Sequence, residues 1–256
     1  MYAIVTAGGI PKPKDPLYAY TQGQSKALLD VAGKPMVQWV LDALGASQHV
    51  DGVVLIGLGP ESGVTCARPL HYCANQGGML SNILKGIAEV QALQPGPQHL
   101  LVVSSDIPGI QTHMVDWLVE RVQETDDDLY YNVITQEVME KRYPGSRRTF
   151  TKLKDMRVCG GDMNAIHTRA ADSNLDFWRT IIEARKNPLK QASMIGWDLL
   201  LLLLLGRIGM EDAVRRVSAR VHLKGRALQC PYAEVGMDVD KPHQLELMRL
   251  DMARQK

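Results

Sequence analysis

The sequence predicts an α/β fold: a three-layer sandwich with helices on both faces of a mostly parallel central sheet. Three observations predict it. Apolar runs of strand length alternate with segments of helical spacing as far as Ile134. Gly8 and Gly9 follow the first apolar run, as at a strand's carboxyl end, where ligands gather in such sheets. Of the 256 residues 45% are hydrophobic, enough to bury a sizeable core.

Strands are expected at Tyr2 to Thr6, Gly52 to Gly57, His99 to Ser104 and Leu129 to Ile134. Helices fall between them at Met36 to Leu44, Met79 to Leu93 and His113 to Glu124. A parallel connection must cross over the sheet, and a helix is the usual crossover. After about residue 136 the pattern loosens. EKRYPGSRRTFTKLKDMR holds seven basic residues between Lys141 and Arg157 against two acidic ones, Glu140 and Asp155. It reads either as a solvated loop or, through Arg147 and Arg148, as a contact for an anionic substrate group. From Asn174 to Ala219 the spacing is mostly helical. A strand near Ala227 to Cys230 is expected to rejoin the sheet, and a helix from His243 to Met252 closes the chain. The expected organisation is one domain over residues 1–256 with a helical lobe at about 174–220.

DLLLLLLLG, with leucines from Leu199 to Leu205, falls short of the about twenty apolar residues of a bilayer span. No transmembrane helix is expected. A helix apolar on every side needs cover, from the lobe or from a second copy in a homo-oligomer, ahead of docking on a membrane surface. Basic and acidic residues number 29 and 28, a net charge of +1 that argues against nucleic acid as a partner. Cys66, Cys73, Cys159 and Cys230 form no CxxC pair, and the amino terminus lacks a signal-peptide pattern. Reduced thiols and a cytoplasmic location are expected.

The glycine turn lets backbone approach an anion closely, yet neither GxxxxGK[ST] nor GxGxxG is present. AGG, a polar loop and then SKALLDVAGKPMVQWVLDAL resemble the amino-terminal signature of the MobA-like NTP transferases, relatives of molybdenum-cofactor guanylyltransferase. These belong to a nucleotidyltransferase superfamily with a Rossmann-like fold of the glycosyltransferase A type. The resemblance implies that Ala7, Gly8, Gly9 and the flexible loop hold a nucleoside triphosphate and that Lys26 contacts a phosphate. GGMLSNILKGI is similar to the segment that lies against base and ribose, with Gly78, Ser81 and Asn82 as contacts. LLVVSSDIPGI is similar to the strand that ends in a metal-binding aspartate, here Asp106, which by pattern alone is equally a helix N-cap. EVGMDVDKPHQLELMR resembles the closing motif that completes the metal site, with Asp240 as first choice and Asp238 as second.

Mg²⁺ (or Mn²⁺) is the implied cofactor, a hard cation that takes few protein carboxylates. VCGGDMNAIHT offers Asn164 as an acceptor contact or else a plain glycine turn into a strand, with His167 a satisfied strand residue. The chain lacks the arginine of the guanylyltransferase pattern GxxxRMG, and Lys12 or Lys14 would replace it as a point charge.

The implied reaction is metal-dependent transfer of a nucleoside monophosphate from a triphosphate, GTP or CTP, to a phosphorylated small-molecule acceptor. Pyrophosphate is released, with Lys26, Asp106 and Asp240 catalytic. A glycosyltransferase of the same fold and a non-catalytic nucleotide sensor are the alternatives. The leucine run leaves a lipid-linked acceptor open.

Overall fold

The hydrophobic run Tyr2–Thr6 forms β1 at the middle of the sheet, flanked in parallel by β4 (Gly52–Ile56) and β6 (His99–Ser104). The computed structural model describes residues 1–172, Trp178 and 196–254. β5 (Leu70–Cys73), absent from the sequence reading, extends the parallel run beyond β4. The order is β5-β4-β1-β6-β10-β7-β9-β8. β7 (Leu129–Thr135), β8 (Thr151–Lys152), β9 (Arg157–Gly160) and β10 (Met163–His167) make up the second half. β11 (Gly225–Gln229) pairs β7 in parallel, so the late strand does rejoin the sheet. β2 (Asp30–Val31) and β3 (Lys34–Pro35) are a separate hairpin turned by Ala32 and Gly33, both at positive φ.

β10 enters antiparallel between β6 and β7. β9 and β10 run along one side of β7, but Gly160 opposes Val133 while Ala165 opposes Tyr130, so two extra residues, Gly161 and Asp162, interrupt the run. Such a bulge bends a strand and re-aims a side chain. The residues after 136, loosely patterned in sequence, thus add four strands, β8 to β11, among helices.

α1 is Tyr18–Thr21, α2 Met36–Ala46, α3 Met79–Leu93, α4 Thr112–Gln123 and α5 Gln136–Arg142. α6 is Arg169–Asp172, α7 Trp197–Leu204, α8 Met210–Val221 and α9 Pro242–Ala253. The larger apolar core joins Ala3, Val5, Leu101, Val103 and Tyr130 to residues of α2, α4 and α9. On the other face Ile4, Leu100 and Ile166 pack with α3 and α6, and Val133 and Val158 pack with Leu199 and Ile208. Alternate residues of each strand serve the two faces.

Of the leucine run, Leu199 is fully buried, but Leu204 is 85% exposed and Leu201 57%. The helix is thus half covered by its own chain, and the exposed side is the one a second copy would have to cover. Among the described residues no helix is long and apolar enough to cross a membrane. The sequence-predicted helical stretch 174–195 lies outside the described residues, Trp178 apart. All four cysteines are free thiols.

Candidate active site

The glycine turn after β1 is stitched to the lysine segment by short-range bonds. Lys26 N–H donates to the Gly9 carbonyl at 3.0 Å, and Ser25 Oγ donates to the Ala7 carbonyl at 2.9 Å while accepting from Ala27 N–H. Ala7 is fully buried and gives its own N–H to Ile56, so Gly8 and Gly9 are what faces the cavity. A Cβ on Gly8 would sit 2.7 Å from the Asn75 side chain, whose Nδ2 donates to the Gly8 carbonyl. Asn75 also accepts from Asn82 Nδ2, and Asn82 Oδ1 accepts from Gln76 N–H at 2.7 Å. Asn82 is buried and lines the cavity with Gly78, whereas Ser81 lies outside that lining. Sequence reasoning missed Asn75.

β6 delivers Asp106 two residues past its end, and the Val239 N–H bonds the Asp106 carbonyl at 2.9 Å, drawing the closing motif alongside. Lys26 Nζ stands 2.5 Å from Asp106 Oδ2 and 2.6 Å from Asp240 Oδ1. Burial alone would depress the ammonium's pKa, but the two carboxylates outweigh it and hold it above the ordinary lysine value. The other Asp106 oxygen is buried with no hydrogen-bond partner. A buried, orphaned carboxylate oxygen beside a second aspartate fits a hard divalent cation.

Asp162 is the carboxylate that sequence reasoning missed. The bulge places it opposite Ser104, whose N–H it accepts at 2.8 Å on its carbonyl. Burial first, and then the Asp106 charge, push its carboxyl up to about 7, against the opposing pull of Arg148 and Lys26. The GGD sequence was the available signal. Asp238 is buried and pairs with Arg148. It does not join Lys26, Asp106 and Asp240. Arg147 is exposed in the left-handed region. Asn164 spends Oδ1 on Asn132 N–H and Nδ2 on the Gly161 carbonyl, which is the turn-into-strand alternative.

Two cavities of about 360 and 420 Å³ meet at Gly9 and Lys26. The second lies under the loop and is lined by Ile10, Pro11, Asp15, Leu17, Asp240 and Lys241. Lys12 and Lys14 are exposed and outside its lining; Lys241, overlooked beside the aspartates of its motif, is within it. Within the loop Leu17 is buried and α1 forms a single helical turn.

His99, Asp126 and His167 also bring ligand atoms within 4.8 Å of one another, at the opposite end of β6. Asp126 is engaged by Arg169, and His167 Nδ1 accepts the Arg169 N–H at 3.0 Å. His167 is a satisfied strand residue.

The model of the MobA-like NTP transferase domain matches residues 4–175. The chain belongs to this family. It is a nucleotidyltransferase, in a family that uses a divalent metal. A hypothetical transferase from Thermus thermophilus is 33% identical, with TM-score 0.80, covering 95% of this chain and 98% of that one. CMP:2-keto-3-deoxy-manno-octonic acid synthetase, complexed with CTP, shares the fold at 16% identity and TM-score 0.58, covering 100% and 99%. 2-C-methyl-D-erythritol 4-phosphate cytidylyltransferase, also from Thermus thermophilus, does so at 12% and 0.56, covering 98% of each chain. No curated protein matches the chain in sequence.

Proposed function

We propose that this nucleotidyltransferase moves a nucleoside monophosphate from GTP or CTP to a phosphorylated small-molecule acceptor and releases pyrophosphate. The observation that supports it best is the Lys26 ammonium held between Asp106 and Asp240 where two cavities join. Attack on the α-phosphorus builds negative charge on non-bridging oxygens and on the leaving group, so fixed positive charge lowers the barrier.

The nucleoside lies against Gly78 and Asn82, and the Gly8–Gly9 turn holds the phosphates. Asp106 and Asp240 would hold Mg²⁺ or Mn²⁺, which when bound supplies Lewis-acid charge at the transferring phosphate. Lys26 then turns its ammonium from the carboxylates to that phosphate. Lys241, at the cavity under the loop, faces the departing pyrophosphate, the task first assigned to Lys12 or Lys14. Arg148 and Asp162 lie on the acceptor side. An ionised phosphate acceptor attacks without a general base.

The test is a matrix of four triphosphates against phosphorylated acceptors, scored by metal-dependent pyrophosphate release. Turnover with one donor–acceptor pair is expected. Release of nucleoside diphosphate from a nucleotide-sugar in its place would overturn the reading.

A further inference from the structure

The face of the sheet that carries the nucleotide cavity continues sideways into an apolar slot. Thr6 and Ser104 line that cavity from β1 and β6. Asp162, opposite Ser104, follows on β10. Next on the same face come Tyr131 and Val133 of β7, the latter paired with Gly160. Tyr131 feels both sides: burial and then the Asp162 charge raise its phenol pKa, and its hydroxyl occupies the place where a Gly160 Cβ would stand. Glycine is required there because the phenol fills the space of a side chain.

Beyond Tyr131 the slot runs between β7, β9 and β11 below and α8 above, with a volume of about 410 Å³. Val158, Leu203, Ala213 and Val217 are among its walls. The slot is a groove open to solvent along part of its length, and an exposed apolar concavity of this kind favours an apolar guest over water.

We infer that this slot takes the hydrocarbon chain of an amphiphilic acceptor whose phosphate reaches the Asp106–Asp162 rim. The inference rests on the nucleotidyl-transfer reading and narrows its acceptor to a phosphorylated compound with an apolar tail. The slot lies on the same sheet face as the carboxylate rim, with Tyr131 of its wall within reach of the Asp162 charge, and this adjacency favours a phosphorylated occupant over a second copy of the chain.

Octyl phosphate and ethyl phosphate are the probes, titrated calorimetrically into the full chain. Octyl phosphate should bind about ten-fold tighter or more, as burial of several methylenes requires. Val217→Trp, which fills the slot, should erase that preference and leave GTP and CTP binding unchanged; Ala213→Phe serves as the second filling variant if the first loses its fold. Equal affinity for the two probes overturns the inference. So does a preference that survives both variants, which would place the octyl chain on the exposed leucines of α7. Pyrophosphate release separates the two readings. Turnover that ignores chain length sinks the slot alone, whereas octyl preference without turnover on any triphosphate sinks the transfer reading and keeps the slot.

Discussion

The two ends of β6 carry similar side chains put to different uses. At the amino end Asp126, Asp127 and Asp128 meet three cations, Arg169, Lys224 and Arg226. Buried Asp127 also accepts from Thr125, and Asp128 from the Lys224 N–H at 2.7 Å. His99 Nε2 pairs with the Asp127 carbonyl. At the carboxyl end Asp106 and Asp240 share Lys26, Asp238 pairs with Arg148, and one Asp106 oxygen is left without a hydrogen-bond partner. The first cluster is balanced and its groups are spent on one another. The second leaves a buried carboxylate oxygen unspent, which is the condition of a site that receives a cation.

The sharpest break of this contrast is Asp106→Ala. Metal-dependent pyrophosphate release should fall about a thousand-fold, with little movement of the thermal unfolding midpoint. Retained activity would remove Asp106 from the chemistry. Lys26→Ala should cost about 3 kcal/mol of barrier, read from kcat/KM. At the balanced end Asp127→Ala should do the reverse, lowering stability by about 1–2 kcal/mol in denaturant titration while kcat stays within about two-fold. A large loss of kcat in that variant would show that the ends are not separable.

The ends should also answer pH with opposite signs. Asp162 is held at about 7 in the metal-free chain, above the unfolded value of about 4. Its contribution is whole below the unfolded value and is lost as pH rises through 7. With a chelator present, the chain should therefore lose stability relative to Asp162→Asn between about pH 5 and about pH 8. His167 is held below its ordinary value by burial, then by His99 and Arg169. Its contribution is present above about 6.5 and is lost as pH falls. The chain should lose stability relative to His167→Gln on going from about pH 7 to about pH 5. Flat differences in either melting series would discard the corresponding assignment.

Lys26, Asp106 and Asp240 were legible because each sits in a short stretch that resembles a family motif, and the structure brings their side chains together. The strands from Tyr2 and His99 and the helix from Met79 were legible by periodicity. Asp162 was not, because its position depends on β10 entering antiparallel between β6 and β7, a long-range pairing with no local signal. The same holds for the slot, whose floor exists only once β11 has joined β7. Lys12 and Lys14 stand exposed outside the cavity lining, which a loop's composition does not foretell. Asn75 acts through a contact to Gly8, 67 residues away in the chain.

Five consecutive Cα pairs, from Met163 with Val103 to His167 with His99, lace β10 to β6. The distance from β6 to β10 is thus a backbone dimension. On the proposed reading, repacking the region beyond β7 would alter the acceptor pocket without changing the reach of Asp106, because the ruler between them is made of peptide groups that no side-chain substitution rewrites.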